Sequence, residues 1–287
     1  MNWRAFVVLV LTIAASAWPP TLRADTPAAK ISEVETVKDV AYYDGDDADK
    51  NKHKLDLYLP KGKKDFPVLF FVHGGAWVSG DRNYFGIYSA IGQAFARNGI
   101  GAVVISYRLS PKVQHPDHIK DVARAFAWTH KNIGKHGGNP DAILVCGHSA
   151  GGHLVALLAT DEGYLRSEGL TLKAIKGAIP MSGVYLITDN MLPAVFGKPA
   201  EGVRSPSPIK HVHEGCPPFL IVYADKDMPF CDATSTTFCK DLKNKKCTAE
   251  ICEVKDRNHM SIIMRFSKDG DPALEAALNF ITKCCAK

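Results

Sequence analysis

The sequence predicts an α/β protein built on a mostly parallel, doubly wound sheet with an antiparallel N-terminal edge. From residue 68 onward, short continuously apolar segments, typical of strands buried on both faces, alternate with helical segments. Before them, residues 34–43 and 53–59 alternate between apolar and polar side chains, as half-buried antiparallel strands do. Of the 287 residues, 46% are hydrophobic and 23% charged, which is the composition of a globular protein.

The later strands and helices can be placed in chain order from the same patterns. The apolar segments that predict parallel strands are 68–72, 102–107, 142–146, 174–181, 219–224 and 249–254. Helical spacing and capping residues predict helices over 89–97, 116–135, 150–160, 233–243 and 272–284. We expect one domain over residues 25–287, with right-handed crossovers between the strands. The weakly patterned stretch 185–218 is expected to be loop and short helix over one end of the sheet.

The first 24 residues predict a secretory signal peptide. Arg4 precedes the apolar stretch Ala5–Ala17, which is shorter than the roughly 20 residues that a membrane span needs. Small residues suited to cleavage follow, at positions 15–17 and at Ala24. An uncleaved membrane anchor is the alternative, and the break at Trp18-Pro19-Pro20 argues against it. We therefore expect a secreted or periplasmic protein without a stable membrane anchor.

Cysteine usage agrees with export. Cys146 falls in an apolar strand and is expected to be a buried free thiol, while the other seven lie from Cys216 onward. An oxidising compartment favours disulfides among those seven, at least one of which stays unpaired because the number is odd. Their connectivity cannot be read from the sequence. A metal site is the alternative, but the sequence contains no two CxxC pairs.

The net charge and the lack of cofactor motifs limit the kinds of binding partner that the sequence predicts. The formal net charge is +5, and the lysines are scattered, so the sequence indicates neither nucleic-acid nor membrane binding. It contains no GxGxxG dinucleotide motif and no P-loop, so no cofactor is predicted. Oligomeric state cannot be read from the sequence.

The motif that most clearly indicates chemistry is Gly147-His148-Ser149-Ala150-Gly151, a GxSxG between an apolar strand and a helix rich in small residues. A nucleophilic serine needs this arrangement, because the tight turn exposes its hydroxyl beyond the sheet and the glycines avoid Cβ clashes. The following helix adds N-terminal amides and the positive end of its dipole. The alternative is an accidental match in a turn, which the strand–turn–helix context makes improbable.

The segment His73-Gly74-Gly75-Ala76-Trp77 follows the apolar strand 68–72 and predicts part of an oxyanion hole. A tetrahedral oxyanion needs backbone N–H groups aimed at one point, and glycines let the backbone approach closely. We assign Gly74 and Gly75 as candidate donors from this loop and Ala150 as the donor after the nucleophile. A plain glycine turn is the alternative. Trp77 is equally consistent with a pocket wall that contacts substrate and with the core.

Chain order points to the base and the acid. When a GxSxG serine is the nucleophile, the acid and then the histidine follow it in sequence. His259 is the one histidine beyond the last predicted strand, whereas His211 and His213 precede the strand that carries the acid and are expected to be surface loop. That strand ends at Asp225-Lys226-Asp227, and we favour Asp227 because it lies further out on the loop, with Asp225 as the alternative.

Together these segments resemble the esterase/lipase branch of the α/β-hydrolases, which includes hormone-sensitive-lipase-like, feruloyl and acetyl-xylan, and kynurenine-formamidase-like enzymes. The resemblance rests on HGGAWVSGD, ISYRLSP, GHSAGGHL, YADKDMPF and NHMSI, in order between about residues 55 and 280. It implies the α/β-hydrolase fold and the acid at Asp227. Ala76 stands where many members have a third glycine, and its amide can still donate. The short stretch between Ser149 and Asp227 implies a small lid, or none, and an open pocket.

The predicted function is hydrolysis of small or polysaccharide-borne acyl esters by a Ser149–His259–Asp227 triad through an acyl-enzyme. An amidase of formamidase or peptidase type is the first alternative, since the acyl-transfer chemistry is shared. The second alternative is a non-catalytic binding protein on a hydrolase scaffold, because fold does not imply function. The presence of all three triad residues argues against it.

Overall fold

The computed structural model describes residues 33–189, 191–198 and 202–286. The predicted signal peptide, residues 1–24, lies outside the described residues. In the described part of the chain, no helix is both long and apolar enough to span a membrane.

In the described residues, eight strands form one sheet. They are β1 Val34–Ala41, β2 Lys54–Pro60, β3 Phe66–Val72, β4 Gly101–Ile105, β5 Gly138–His148, β6 Gly177–Met181, β7 Phe219–Lys226 and β8 Ala249–Asn258. Their spatial order is β1-β2-β4-β3-β5-β6-β7-β8. β2 pairs antiparallel with both β1 and β4, and all other neighbours are parallel. This confirms the predicted mostly parallel sheet with an antiparallel N-terminal edge.

Within the described ranges, eight α-helices connect and cover the strands. They are α1 Ile87–Arg97, α2 Asp117–Asn132, α3 Ala150–Thr160, α4 Glu162–Arg166, α5 Pro193–Phe196, α6 Cys231–Asn244, α7 His259–Arg265 and α8 Pro272–Cys285. Short 3₁₀ turns occur at residues 84–86, 133–136, 172–174 and 208–211.

The sheet is buried on both faces by two separate apolar clusters. One cluster packs one face of the sheet against α2, α3 and α6, through side chains such as Phe126, Leu157 and Phe238. The other joins the opposite face to α1, α7 and α8, through side chains such as Phe95 and Phe266. Because helices cover both sides, the central strands carry uninterrupted apolar segments, such as residues 68–72 in β3 and 142–146 in β5.

The structure corrects several boundaries. Residues 172–174 form a 3₁₀ turn, so β6 begins at Gly177 rather than at 174. The helix predicted over 116–135 ends at Asn132 and continues as a 3₁₀ turn to the left-handed Gly137. The helix α7, which begins at His259, was not predicted from the sequence. No disulfide joins the eight cysteines, all of which lie in the described residues, so disulfide bonding stays a prediction.

Candidate active site

Ser149 lies at a strained turn between β5 and α3. Its backbone is at φ 56° and ψ −118°, a combination that side-chain-bearing residues rarely adopt. Its amide donates to the carbonyl oxygen of Met181 at 2.9 Å, and its carbonyl accepts from the His153 amide in the first turn of α3. These bonds hold the serine at the carboxyl end of the sheet, where α/β folds bind ligands.

Both glycines of the GxSxG motif are required by this turn. A Cβ added at Gly147 would lie 2.4 Å from the carbonyl oxygen of Gly151. A Cβ at Gly151 would lie 2.1 Å from the carbonyl oxygen of Val72, at the end of β3. The obstacles are backbone atoms that no rotamer change can move, so the motif reflects how closely β3, β5 and α3 approach one another.

His259 is brought to the serine by the start of α7. Asn258 is the N-cap residue, and its side chain accepts from the amides of Met260 and Ser261, while the Ser261 hydroxyl accepts from the Asn258 amide. This capping box fixes the direction of the first helical residue, His259. Its Nε2 lies 2.9 Å from Ser149 Oγ.

Asp227 lies on the other side of the imidazole. Its Oδ1 is 2.7 Å from His259 Nδ1 and also accepts from the Met228 amide at 2.7 Å. Its Oδ2 accepts from the Ala224 amide at 3.1 Å and from the hydroxyl of Ser182. Burial raises the pKa of Asp227, but the hydrogen bonds from His259, Ser182 and the two amides together lower it well below its usual range. The carboxylate is therefore ionised at neutral pH.

Asp225, the alternative acid, does not reach the imidazole. Its Oδ1 accepts from the backbone amide of Arg257 at 3.0 Å, which joins the ends of β7 and β8. Of the two aspartates, the structure thus brings Asp227 to His259 and leaves Asp225 in a structural role.

Ser182 is a site residue that sequence analysis did not identify. It follows β6 directly, has a left-handed φ of 48° and is buried. Its amide donates to the Val222 carbonyl on β7, so it sits one strand away from Asp227. The available signal was its position immediately after a buried parallel strand, the same position that Ser149 occupies after β5.

The loop after β3 faces Ser149, but its amides are not equivalent. The Gly74 amide donates to the hydroxyl of Tyr88 at 3.1 Å and is therefore engaged within the protein. Gly75 has φ +114°, and a Cβ there would lie 2.1 Å from the carbonyl oxygen of Ser79. Ala76, also in the left-handed region, lines the same cavity as Ser149. Ala150 begins α3, where helix amides have no intrahelical partner.

Trp77 belongs both to the core and to the cavity wall. It is 3% exposed, and its indole Nε1 donates to His153 Nδ1 at 3.3 Å. Its ring packs edge-on against Phe196 of α5 at 5.0 Å, while one side of it lines the cavity beside Ser149. The two interpretations of Trp77 are therefore compatible.

The remaining histidines named in the sequence analysis have structural partners. His148 Nε2 donates to the carbonyl oxygen of His259 at 2.8 Å, and burial lowers the pKa of His148 to about 3. His73 Nδ1 donates to the Gly74 carbonyl, and the ring stacks on Tyr107 at 4.4 Å. His211 and His213 lie on a loop before β7, where each bonds a backbone carbonyl. No group of three metal-ligating side chains was found in the described residues.

A cavity of about 400 Å³ opens beside the triad. Apart from Ser149, Ser182, Asp227 and His259, the side chains that line it are mostly apolar or small: Ala76, Trp77, Val184, Tyr185, Leu186, Met191, Leu192, Met228, Pro229, Phe230, Cys231 and Thr234. They come from the loop after β3 and from the segments after β6 and β7. When the carbonyl carbon of a substrate lies at Ser149, an uncharged group attached to that carbon therefore fits against this apolar surface.

Comparisons with known proteins agree with this architecture. Residues 55–242 match the family model described as BD-FAE. Among curated proteins, Esterase LipQ of Mycobacterium tuberculosis is 34% identical over 212 residues, covering 67% of this chain and 50% of LipQ. The probable isoprenylcysteine alpha-carbonyl methylesterase ICMEL1 of Arabidopsis thaliana is 27% identical over 245 residues, covering 76% of this chain and 50% of ICMEL1. The chain spans about half the length of these relatives.

Two solved structures illustrate the shared fold. A truncated form of a carbohydrate esterase from gut microbiota has a TM-score of 0.74 and 23% identity, covering 91% of this chain and 99% of its own. The thermophilic carboxylesterase EstE1, cloned from a metagenomic library, has a TM-score of 0.71 and 22% identity, covering 90% of each chain. At these identities the likeness concerns the fold.

Proposed function

The chain belongs to the BD-FAE family, within the esterase/lipase branch of the α/β-hydrolases, and from this premise we propose that it is a serine carboxylic-ester hydrolase. The observation that carries the proposal is the continuous line of hydrogen bonds from Ser149 Oγ through the imidazole of His259 to Asp227. The esterase names of its relatives support the same reaction class.

The proposed mechanism begins with proton transfer. His259 Nε2 removes the proton from Ser149 Oγ as that oxygen attacks the ester carbonyl. Asp227 accepts from Nδ1, which keeps the imidazole in the tautomer whose Nε2 is free to act as a base, and it stabilises the imidazolium that forms. The protonated His259 then gives its proton to the departing alcohol, leaving an acyl group on Ser149. Water, activated by the same imidazole, releases the acid.

The oxyanion of the tetrahedral intermediate is assigned to the amides of Ala150 and Gly75. The Gly74 amide, also a candidate from the sequence, already donates to Tyr88, so its use would require that bond to break. The Ala76 amide is the neighbouring donor on the cavity side of the loop. One such donor contributes roughly 2.7–4 kcal/mol to transition-state stabilisation in serine hydrolases.

The proposed substrates are small or polysaccharide-borne acyl esters. The cavity is apolar and open to solvent, so the acyl group can be buried while a larger alcohol portion stays outside. The similarity to a carbohydrate esterase supports a sugar-bearing alcohol. Residues 1–24 support the further proposal that the protein is exported to the periplasm or the cell exterior, where such polymers occur.

The test is an ester panel on the wild-type protein and the Ser149→Ala variant. We expect hydrolysis of short p-nitrophenyl esters and release of acetate from acetylated xylan, with a loss of about 10⁶-fold in kcat for the variant. A fluorophosphonate probe should label the wild type and not the variant. Folded wild-type protein that neither reacts with the probe nor cleaves any ester would exclude the proposed activity.

An amide hydrolase with the same triad is the second candidate. N-formyl amides and short peptides, tested beside the esters, separate the two reactions. Higher kcat/KM on the amides would replace the ester assignment. Fluorophosphonate labelling without turnover of any substrate in the panel would leave the serine reactive but exclude both proposed substrate classes.

A further inference from the structure

Two buried thiols lie together where neighbouring strands β7 and β8 begin. Cys216 precedes β7 and Cys247 precedes β8. The two strands run parallel with Phe219 opposite Ala249, and the Phe219 amide donates to the Thr248 carbonyl at 2.9 Å. Neighbouring strands lie about 4.8 Å apart. This register therefore brings the two cysteines to the separation that a disulfide spans, roughly 4.4–6.8 Å between Cα atoms.

The two sulfur atoms also converge on one residue, His213. Cys247 Sγ donates to the carbonyl oxygen of His213 at 3.2 Å, and Cys216 Sγ lies 3.6 Å from its Nδ1. The Cys247 thiol is also close enough to Cys216 to contribute to raising the pKa of Cys216, after burial. Each cysteine is 8% exposed, whereas His213 is exposed to solvent. The thiols are therefore packed against each other under a thin cover that a small reagent can approach.

We propose that Cys216 and Cys247 form a disulfide bond when the chain folds in an oxidising compartment. The oxidant is a low-molecular-weight disulfide. The thiolate of one cysteine attacks it, forming a mixed disulfide and releasing one small thiolate, which takes up the proton that the cysteine lost. The thiolate of the second cysteine then attacks the protein sulfur and releases a second small thiol. Two protein thiols and one small disulfide thus give one protein disulfide and two small thiols.

Burial determines when this bond forms. It raises the pKa of Cys216 to about 11, so little thiolate is present at neutral pH once the chain has folded. We therefore expect the bond to close readily during oxidative folding. In folded, reduced protein it should close slowly, at a rate that increases with pH. A shared metal ion is the rival explanation for two cysteines beside a histidine, but the described residues provide no set of three ligands.

The test is to refold the protein with oxidised and reduced glutathione, and in parallel with dithiothreitol. Thiol titration in denaturant should find two fewer reactive thiols after oxidative folding. Trypsin leaves Cys247 and Cys252 in one peptide, so a second cut after Glu250 by a glutamate-specific protease is needed to separate them. Mass spectrometry should then detect a peptide pair joined through Cys216 and Cys247, which is lost on reduction.

Single variants provide the matched controls. Cys216→Ser and Cys247→Ser should keep all seven remaining thiols reactive after oxidative folding, whereas Cys252→Ser, on the same strand β8, should lose two as the wild type does. The bond closes a loop of roughly 30 residues, so the oxidised wild type should melt about 10 °C higher than the reduced protein. A full complement of reactive thiols after oxidative folding, or a linked peptide pair that lacks either cysteine, would overturn the proposal.

Discussion

At the scale of single residues, Asp227, the proposed acid, is held by more than His259. The Asp227 carboxylate accepts from His259, from the Ser182 hydroxyl and from two backbone amides. Burial alone would raise its pKa and favour the protonated form, in which one oxygen would become a donor. These hydrogen bonds oppose that effect and also prevent the carboxylate from rotating. Among these described partners Ser182 contributes through a side-chain hydroxyl, so its contribution can be removed by substitution.

We expect Ser182→Ala to lower kcat about 10-fold while KM changes little, because a hydrogen bond to a charged group contributes roughly 1.5–3 kcal/mol. Steady-state kinetics at pH 7.5 measures kcat and KM for the two proteins.

The control for this prediction is Ser106→Ala, which removes another buried hydroxyl, one that accepts from the Arg82 amide away from the triad. It should leave kcat unchanged. Equal kcat values for wild type and Ser182→Ala would show that the hydroxyl does not position the proposed acid.

At the scale of secondary-structure elements, α7 is the helix that places His259, the proposed base. His259 is its first residue, and the Asn258 capping box sets the angle at which the chain leaves β8. We expect Asn258→Ala to cost about 1 kcal/mol of stability and to lower kcat more than that loss explains, because fraying of the first turn displaces the imidazole from Ser149. Urea unfolding together with kinetics at a temperature where both proteins are folded measures the two effects.

A matched cap lies at the next helix. Asp271 is the N-cap of α8, where its side chain accepts from the amides of Ala273 and Leu274, and it also pairs with Arg257. Asp271→Ala should therefore destabilise the protein at least as much as Asn258→Ala while leaving kcat close to the wild-type value. A proportionate loss of kcat in both variants would mean that the effect comes from stability alone.

The contrast between α7 and α3 shows what the sequence determines. Helix α3 was predicted with the observed ends, because the GxSxG motif fixes its start and small and apolar residues continue through it. Helix α7 is only seven residues long, too short for a clear helical period, and it begins without a break at the end of β8. Its existence depends on the Asn258 cap and on tertiary contacts, so His259 was assigned from chain order alone.

The residues of the candidate site also fall into two groups, those that the sequence predicts and those that only the tertiary structure reveals. A local motif and the chain order of such triads predict Ser149, Asp227 and His259, and the structure brings these three side chains together. Ser182 has no motif, and its role follows from the position of β6 between β5 and β7, which is a property of the sheet. The engagement of the Gly74 amide by Tyr88 depends on the packing of α1 against the loop after β3, which the sequence pattern does not specify.

At the scale of the whole molecule, the strand order assembles the site. The strands β5, β6, β7 and β8 are consecutive neighbours, and each ends directly before one residue of the candidate site: Ser149, Ser182, Asp227 and His259. Because the four strands are parallel, their carboxyl ends meet at one edge of the sheet. The site therefore depends on the integrity of the sheet, and conditions that loosen the packing beneath this edge should affect activity and stability together.

Buried histidines make that packing sensitive to acid. Burial lowers the pKa of His73 and His118 to about 4, and of His148 and His153 to about 3. In the unfolded chain a histidine has a pKa near 6.5. Above about pH 6.5 both states are neutral, and the stability is complete. As the pH falls towards 4, the unfolded chain binds protons that the folded protein does not, so the free energy of unfolding decreases.

We expect each of these four histidines to remove about 1.4 kcal/mol of stability per pH unit across that window. Urea unfolding followed by tryptophan fluorescence at pH 7.5, 6.0 and 5.0 measures the total slope. In the wild type the His118 imidazole bonds the Ser110 hydroxyl, and a glutamine at position 118 keeps a side-chain amide for that bond. His118→Gln should therefore reduce the slope by the contribution of one histidine. His136→Gln, at a partly exposed position, should not. A slope in His118→Gln as steep as that of the wild type would show that protonation of the unfolded chain at this position does not drive the acid sensitivity.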